Sequence, residues 1–261
     1  MKTMERRDID LSVSTYGVAR KQHYDVVMLP WGATEPHNLH LPYLTDCILS
    51  HDVAVKAAER AYDEYGTKCM VMPPVAMGSQ NPGQRELCFC VHSRYETQCA
   101  ILTDIVSSLH HQGFRKLVIV NGHGGNNFKN MIRDLSLSYP DFFIACGEWF
   151  KMAPVAEYFE RPGDHADEVE TSAMMYFHPE LVQLSEAGPG NANGFAIEAL
   201  RRGLVWMPRH WNLVSPDDTG IGDPSLSTAE KGRRFVEAVT EAYARFLMEF
   251  ARVKRAEDLY K

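Results

Sequence analysis

The sequence predicts an α/β protein with three layers: a mostly parallel sheet flanked by helices on both faces. Three observations predict it. Apolar runs of strand length alternate with longer segments of helical period. Such alternation implies a parallel sheet covered on both sides. Clusters of His, Asp, Glu and Gly come directly after two of the strands, at the carboxyl ends where open α/β sheets bind ligands.

The elements follow in order. Val26–Pro30 reads as a strand, Asp46–Tyr65 as a helix and Lys68–Pro73 as the next strand. Gly78–Gly83 is a loop by its turn chemistry. Leu87–Val91, with Cys88 and Cys90 alternating among apolar neighbours, reads as a short strand. Arg94–Gln112 is a helix that ends at the capping residue Gly113. Lys116–Val120 is a very apolar strand, Asn127–Ser138 a helix closed by Pro140, and Asp141–Cys146 a strand. Asp167–Phe177 is a helix stopped by Pro179, and Thr228–Arg252 is the final helix. Between them, residues 185–227 have weak periodicity. One domain over 1–261 is expected.

Composition narrows the function. The 261 residues are 45% apolar and 23% charged, as in a soluble globular protein. A net charge of -7 argues against a nucleic-acid surface and against polybasic membrane docking. No apolar stretch approaches the ~20 residues that span a bilayer. The N-terminal segment from Met1 to Asp10 has no apolar core after its charges, so it is not read as a secretory signal. None of the six cysteines forms a C-x-x-C pair. A reducing, cytoplasmic setting without disulfides is expected.

Three segments carry chemistry. Glu35, His37, His40 and Asp46 follow the first strand, stiffened by Pro36 and Pro42. Carboxylate oxygens with imidazole nitrogens suit Zn²⁺, Mn²⁺ or Fe²⁺. A polar loop capping the next helix is the plain alternative. The second segment is Asn121-Gly-His123-Gly-Gly-Asn126. It lacks G-x-G-x-x-G spacing, so a metal-binding imidazole on a tight turn is preferred over a dinucleotide loop. The third is Asp164-His165-Ala-Asp167-Glu168-Val-Glu170-Thr-Ser172. A helix start explains some of its acids through the dipole, but not His165, and Glu170 lies in the second turn.

Together these segments resemble the creatininase family. That family carries G-S/A-x-E-x-H-G-x-H-L-P-x-x-T-D, N-G-H-x-x-N and H-A-x-x-x-E-T-S, in this order. The chain presents Gly32-Ala-Thr-Glu35-Pro-His37-Asn-Leu-His40-Leu-Pro-Tyr-Leu-Thr-Asp46, then Asn121–Asn126, then His165-Ala-Asp-Glu-Val-Glu170-Thr-Ser172. Gly78-Ser79 and Pro82-Gly83 resemble a family loop. The resemblance implies a two-metal amidohydrolase in which a metal-activated hydroxide attacks a small amide. Glu35, Asp46 and His123 would hold one ion, and His37 and Asp46 the other, with Asp46 as the bridge. Members with creatininase activity place a carboxylate two residues after the turn histidine, where this chain has Gly125. Glu170 is the expected replacement, followed by Glu168.

Further roles follow from the resemblance. His165 would supply a proton to the leaving nitrogen, His40 would support the ligands, and Ser79 and Glu168 would meet substrate. Members acting on creatinine carry a tryptophan shortly before the matching histidine, and here Arg161-Pro162-Gly163 stands there. A cyclic amide, a formamide or a short peptide is therefore expected instead. The family commonly forms homo-oligomers, often hexamers, and Trp206, Met207 and Trp211 are candidates for an interface or a pocket lid. A non-catalytic ligand- or metal-binding protein on the same fold is the alternative.

Overall fold

A computed structural model of the chain describes residues 4–261. Met1, Lys2 and Thr3, at the head of the segment read as lacking a secretory core, lie outside them. Four parallel strands form the sheet: β1 (Val26–Trp31), β2 (Cys69–Val71), β3 (Lys116–Asn121) and β4 (Phe143–Glu148). Their order is β2-β1-β3-β4. The chain leaves β1 toward β2 on one side and returns to β3 on the other, so a topological switch point lies between β1 and β3. The register pairs Trp31 with Asn121, which sets the two strand ends level.

The five longest helices cover both faces: α1 (Thr45–Tyr65), α2 (Tyr95–His111), α3 (Lys129–Ser138), α4 (Glu168–Phe177) and α5 (Ala229–Arg252). Alternate strand residues divide between two cores, as a period of two demands. Val26, Met28, Val118 and Val120 pack with α1, α4 and α5. Val27, Leu29, Trp31, Leu117 and Ile119 pack with α2 and α3. Helix α5 shows why it is helical. Thr228 caps it by accepting the Lys231 N–H, and Phe235, Val236, Val239, Tyr243, Leu247 and Phe250 recur at helical spacing on its buried face. Gly66, at φ 72, ends α1 in the left-handed region. No helix among the described residues is long and apolar enough to cross a membrane.

One expected strand does not form. Leu87–Val91 is turn and loop, and only Val91 makes an isolated bridge, to Thr34. Phe89 sits at φ 58, which breaks any extended run, and its ring is exposed. The apolar alternation of Leu-Cys-Phe-Cys-Val marks a rim beside Tyr43, whose ring meets Phe89 at 6.4 Å.

Helices α4 and α5 approach closely at Gly232. A Cβ there would strike the Ser172 carbonyl and lie 2.9 Å from the Ala173 nitrogen. Gly232→Ala should therefore destabilise the fold by about 1–3 kcal/mol through overpacking, read as a lower urea midpoint; an unchanged midpoint would show that the helices separate freely.

Candidate metal centre at the β1–β3 switch point

Two glycines let the first turn of α1 settle onto both strand ends. A Cβ on Gly32, just after β1, would lie 2.6 Å from Asp46 Cβ, and one on Gly122, just after β3, would run into the Asp46 carbonyl. Asp46, in that turn, is thereby buried between the two strands. Its Oδ1 lies 3.0 Å from His37 Nε2. Its Oδ2 lies 3.2 Å from His123 Nδ1 but makes no hydrogen bond.

Glu35 and His123 complete one side. Glu35 Oε1 is 2.9 Å from His123 Nδ1. Glu170 reaches in from α4, where Ala166, at φ 50, turns the chain between His165 and the helix. The Ala166 N–H donates to Glu170 Oε2 at 2.6 Å. Asp167 is the N-cap of α4, accepting the Val169 and Glu170 N–H groups. Three groups of ligand atoms lie within 4.8 Å of one another: Glu35, Asp46 and His123; His37, Asp46 and Glu170; and Glu35, His37 and His165.

The three imidazoles share one arrangement. Each donates one ring N–H to a backbone carbonyl: His37 Nδ1 to Glu35 at 3.1 Å, His123 Nε2 to Ser79 at 2.7 Å, and His165 Nε2 to Pro36 at 2.8 Å. A carbonyl only accepts, so the other nitrogen of each ring is the one turned toward the carboxylates. Fixing tautomer and ring direction this way is how metal-binding histidines are oriented. The His165 ring packs between His37, 4.3 Å between centroids, and Trp211, 5.3 Å and edge-on.

Electrostatics follow from burying several acids together. Burial opposes the charge on His37, yet Asp46, Glu170 and Glu35 drive its pKa up to about 10. Burial likewise opposes the charge on His123, and Glu35 and Asp46 outweigh it, holding the ring well above its ordinary value. Burial would raise Asp46, but His37 and His123 hold it well below the carboxylate range. Burial and then the nearby His37 push His165 down. Burial, with Asp46 and Asp167, raises Glu170 to about 8 against the pull of His37. The carboxylates thus draw protons onto the cluster, the places that cations would take.

The remaining expected residues fall into place differently. His40 is buried, with Nε2 2.8 Å from Thr171 Oγ1, and burial and His37 lower its pKa to about 4. Ser79 meets the site through its carbonyl on His123; its hydroxyl donates to the Ser93 carbonyl at 3.3 Å and accepts from Gln98 Nε2 at 2.7 Å. Glu168, expected as a runner-up ligand and a substrate contact, points the other way. Its carboxylate takes the Lys231 ammonium and the Arg161 N–H, because two residues along a helix change face. Trp206 and Met207 are exposed, whereas Trp211 is buried against His165. Asn38, at φ 52, pairs its amide with both backbone groups of Gly188 and donates its own N–H to Thr219 Oγ1. It ties the C-terminal loops over the centre. Gln84 escaped the sequence reading, since a lone glutamine in a turn has no pattern. It is buried, and its Nε2 donates to Glu35 Oε2 at 2.8 Å.

Gly125 explains the missing carboxylate. A Cβ there would strike the Ser79 carbonyl and lie 2.5 Å from His123 Nε2.

A parallel sheet with carboxylates and imidazoles gathered at its switch point defines an α/β protein with a candidate metal centre at its strand ends. The sequence matches the family model for creatininase (creatinine amidohydrolase) over residues 12–247, and the chain belongs to the creatininase family. It is 32% identical over 230 residues to the mycofactocin precursor peptide peptidase of Mycobacterium ulcerans, covering 84% of this chain and 83% of that protein. It is 25% identical over 243 residues to the 3-dehydro-scyllo-inosose hydrolase of Thermotoga maritima, covering 85% and 76%. A crystal structure of a candidate creatinine amidohydrolase from Bacteroides fragilis NCTC 9343 superposes with TM-score 0.94 at 57% identity, over 99% of this chain and 100% of that one. A creatininase Mn structure shares the fold with TM-score 0.74 at 22% identity, over 94% and 99%.

Two expectations follow from the geometry. Gly125→Glu should weaken divalent-ion binding rather than strengthen it, because Ser79 and His123 must move to admit the side chain; a tighter dissociation constant by chelator competition would contradict this. In the ion-free protein, His37 is raised from 6.5 to about 10 and Glu170 from 4.5 to about 8. Each contributes stability that is complete below its ordinary value and is lost as pH rises from there through the folded value. The melting temperature in chelator should fall between about pH 4.5 and 10, and a flat scanning-fluorimetry profile would refute the coupling.

Proposed function

We propose that this chain is a metal-dependent amidohydrolase. Its substrate is a small amide, a cyclic amide, formamide or short peptide, cleaved at C–N with water. The observation that carries the proposal is the pair of ligand triads that share Asp46 at the switch point. One divalent ion would be held by Glu35, Asp46 and His123, and a second by His37, Asp46 and Glu170. The chain fits such ions. Asp46 Oδ2 is buried without a hydrogen bond, an arrangement that leaves a charged oxygen unsatisfied unless a cation or water meets it. The mixed oxygen and nitrogen donors suit Zn²⁺ or Mn²⁺, with Fe²⁺ also accommodated.

When bound, the ions supply Lewis-acid polarisation of the amide carbonyl and a lowered pKa for the attacking water. The protein supplies the rest. His165, neutral and held by Pro36, presents Nδ1 toward Glu35 at 3.7 Å. It takes the proton that water gives up and passes it to the leaving nitrogen, the two proton transfers that amide hydrolysis needs. Trp211 and His37 both pack against that ring. Ser79 and Pro36 carbonyls fix the imidazoles, so the donors are set before substrate arrives.

The same reading places the chain in a reducing, cytoplasmic setting, supported by six free cysteines. It also takes the chain to be a homo-oligomer. Ile197, Leu204, Val205, Trp206 and Leu213 are exposed along one stretch of sequence, apolar side chains that an interface would cover. The Thermotoga maritima relative favours a second reading, hydrolytic opening of a cyclic sugar-like substrate on the same centre.

A hydrolysis screen of cyclic amides, formamides, short peptides and cyclic polyols tests both. Chelator should abolish turnover and Zn²⁺ or Mn²⁺ restore it, with an amine released if C–N is cut. His123→Ala should lower bound metal. Full turnover in the metal-free protein would overturn the mechanism, and unchanged stoichiometry in His123→Ala would remove His123 from the centre.

A further inference from the structure

We infer that Gln84 is a positioning residue that holds Glu35 as a one-oxygen ligand and thereby sets the affinity of the centre. The inference rests on the two-ion reading above. Gln84 is buried, in the short helical turn that follows Gly83. Its Oε1 accepts the Asn81 N–H at 2.6 Å. A backbone N–H only donates, so the amide cannot be flipped, and its NH₂ faces Glu35 Oε2 at 2.8 Å. That hydrogen bond occupies one oxygen of Glu35. The other, Oε1, is the oxygen turned toward His123 and His165.

The turn is braced from outside the motif. Pro82 accepts the Trp211 N–H at 2.7 Å. Gly83, at φ 90, has Asn212 where a Cβ would stand, 2.6 Å from its Oδ1. Trp211 also packs on His165. One segment therefore supports the proton carrier directly and Glu35 through Gln84. A neutral donor suits this place. It orders the carboxylate without cancelling its charge, whereas a lysine or arginine would compete with the ion.

The test is Gln84→Met, which keeps length and apolar volume but removes the donor, alongside Gln84→Glu, which keeps an acceptor for Asn81. Zn²⁺ affinity is measured by chelator competition, and Co²⁺ is loaded for its visible absorption. Unaltered protein that binds neither ion would refute the metal reading itself, independently of Gln84. If the unaltered protein binds, Gln84→Met should lose about 10–100-fold in affinity. Both variants should shift the Co²⁺ spectrum, since Glu35 gains a free or a repelled second oxygen. Melting of each metal-free variant reports folding, and if Gln84→Met does not fold, the spectrum of Gln84→Glu decides. Affinity and spectrum equal to those of the unaltered protein would overturn the inference and leave Gln84 as packing alone.

Discussion

The centre depends on a single buried anion, the Asp46 carboxylate. It sits at the start of a helix, where the peptide dipole favours negative charge. Its place between two strands exists only because each strand is followed by a glycine, Gly32 and Gly122, that leaves room for the helix turn. A charge so placed needs partners. His37 comes from the segment after β1 and His123 from the turn after β3, one to each oxygen. Glu35, Glu170 and His165 gather around that core; the Glu35 and Pro36 carbonyls that hold two of the imidazoles belong to the segment after β1, and the third, at Ser79, to the loop after β2.

Much of this was legible in the sequence because it is local. Strands β1 and β3 read clearly as apolar runs, and the residues right after them were singled out by chemistry alone. Where reading failed, the deciding forces were long-range. Leu87–Val91 has the composition of a strand, but Phe89 takes a left-handed conformation and only Val91 pairs, in a single bridge to Thr34. Glu168 and Glu170 look alike in the sequence. The helix phase and Lys231, 63 residues later, send Glu168 to α5 and leave Glu170 beside His37 and Asp46. Gln84 has no local signature; its importance comes from Glu35 on another segment and from Trp211 still further along.

The weakly periodic stretch 185–227 shows the same principle. It has few elements of its own, yet Asn38 and Trp211 pin it across the strand ends. Asn38 stands where the family motif carries glycine. Asparagine tolerates the left-handed backbone that glycine would otherwise supply. It adds an amide that joins Gly188, so a departure from the motif becomes the anchor of the segment that walls the centre.

Gly125 ties two neighbouring segments together. The Ser79 carbonyl lies where a side chain at 125 would begin, and it is the same carbonyl that orients His123. A side chain at 125 therefore cannot be added by one substitution without displacing Ser79 and His123. The loop at 79 and the turn at 125 would have to change together.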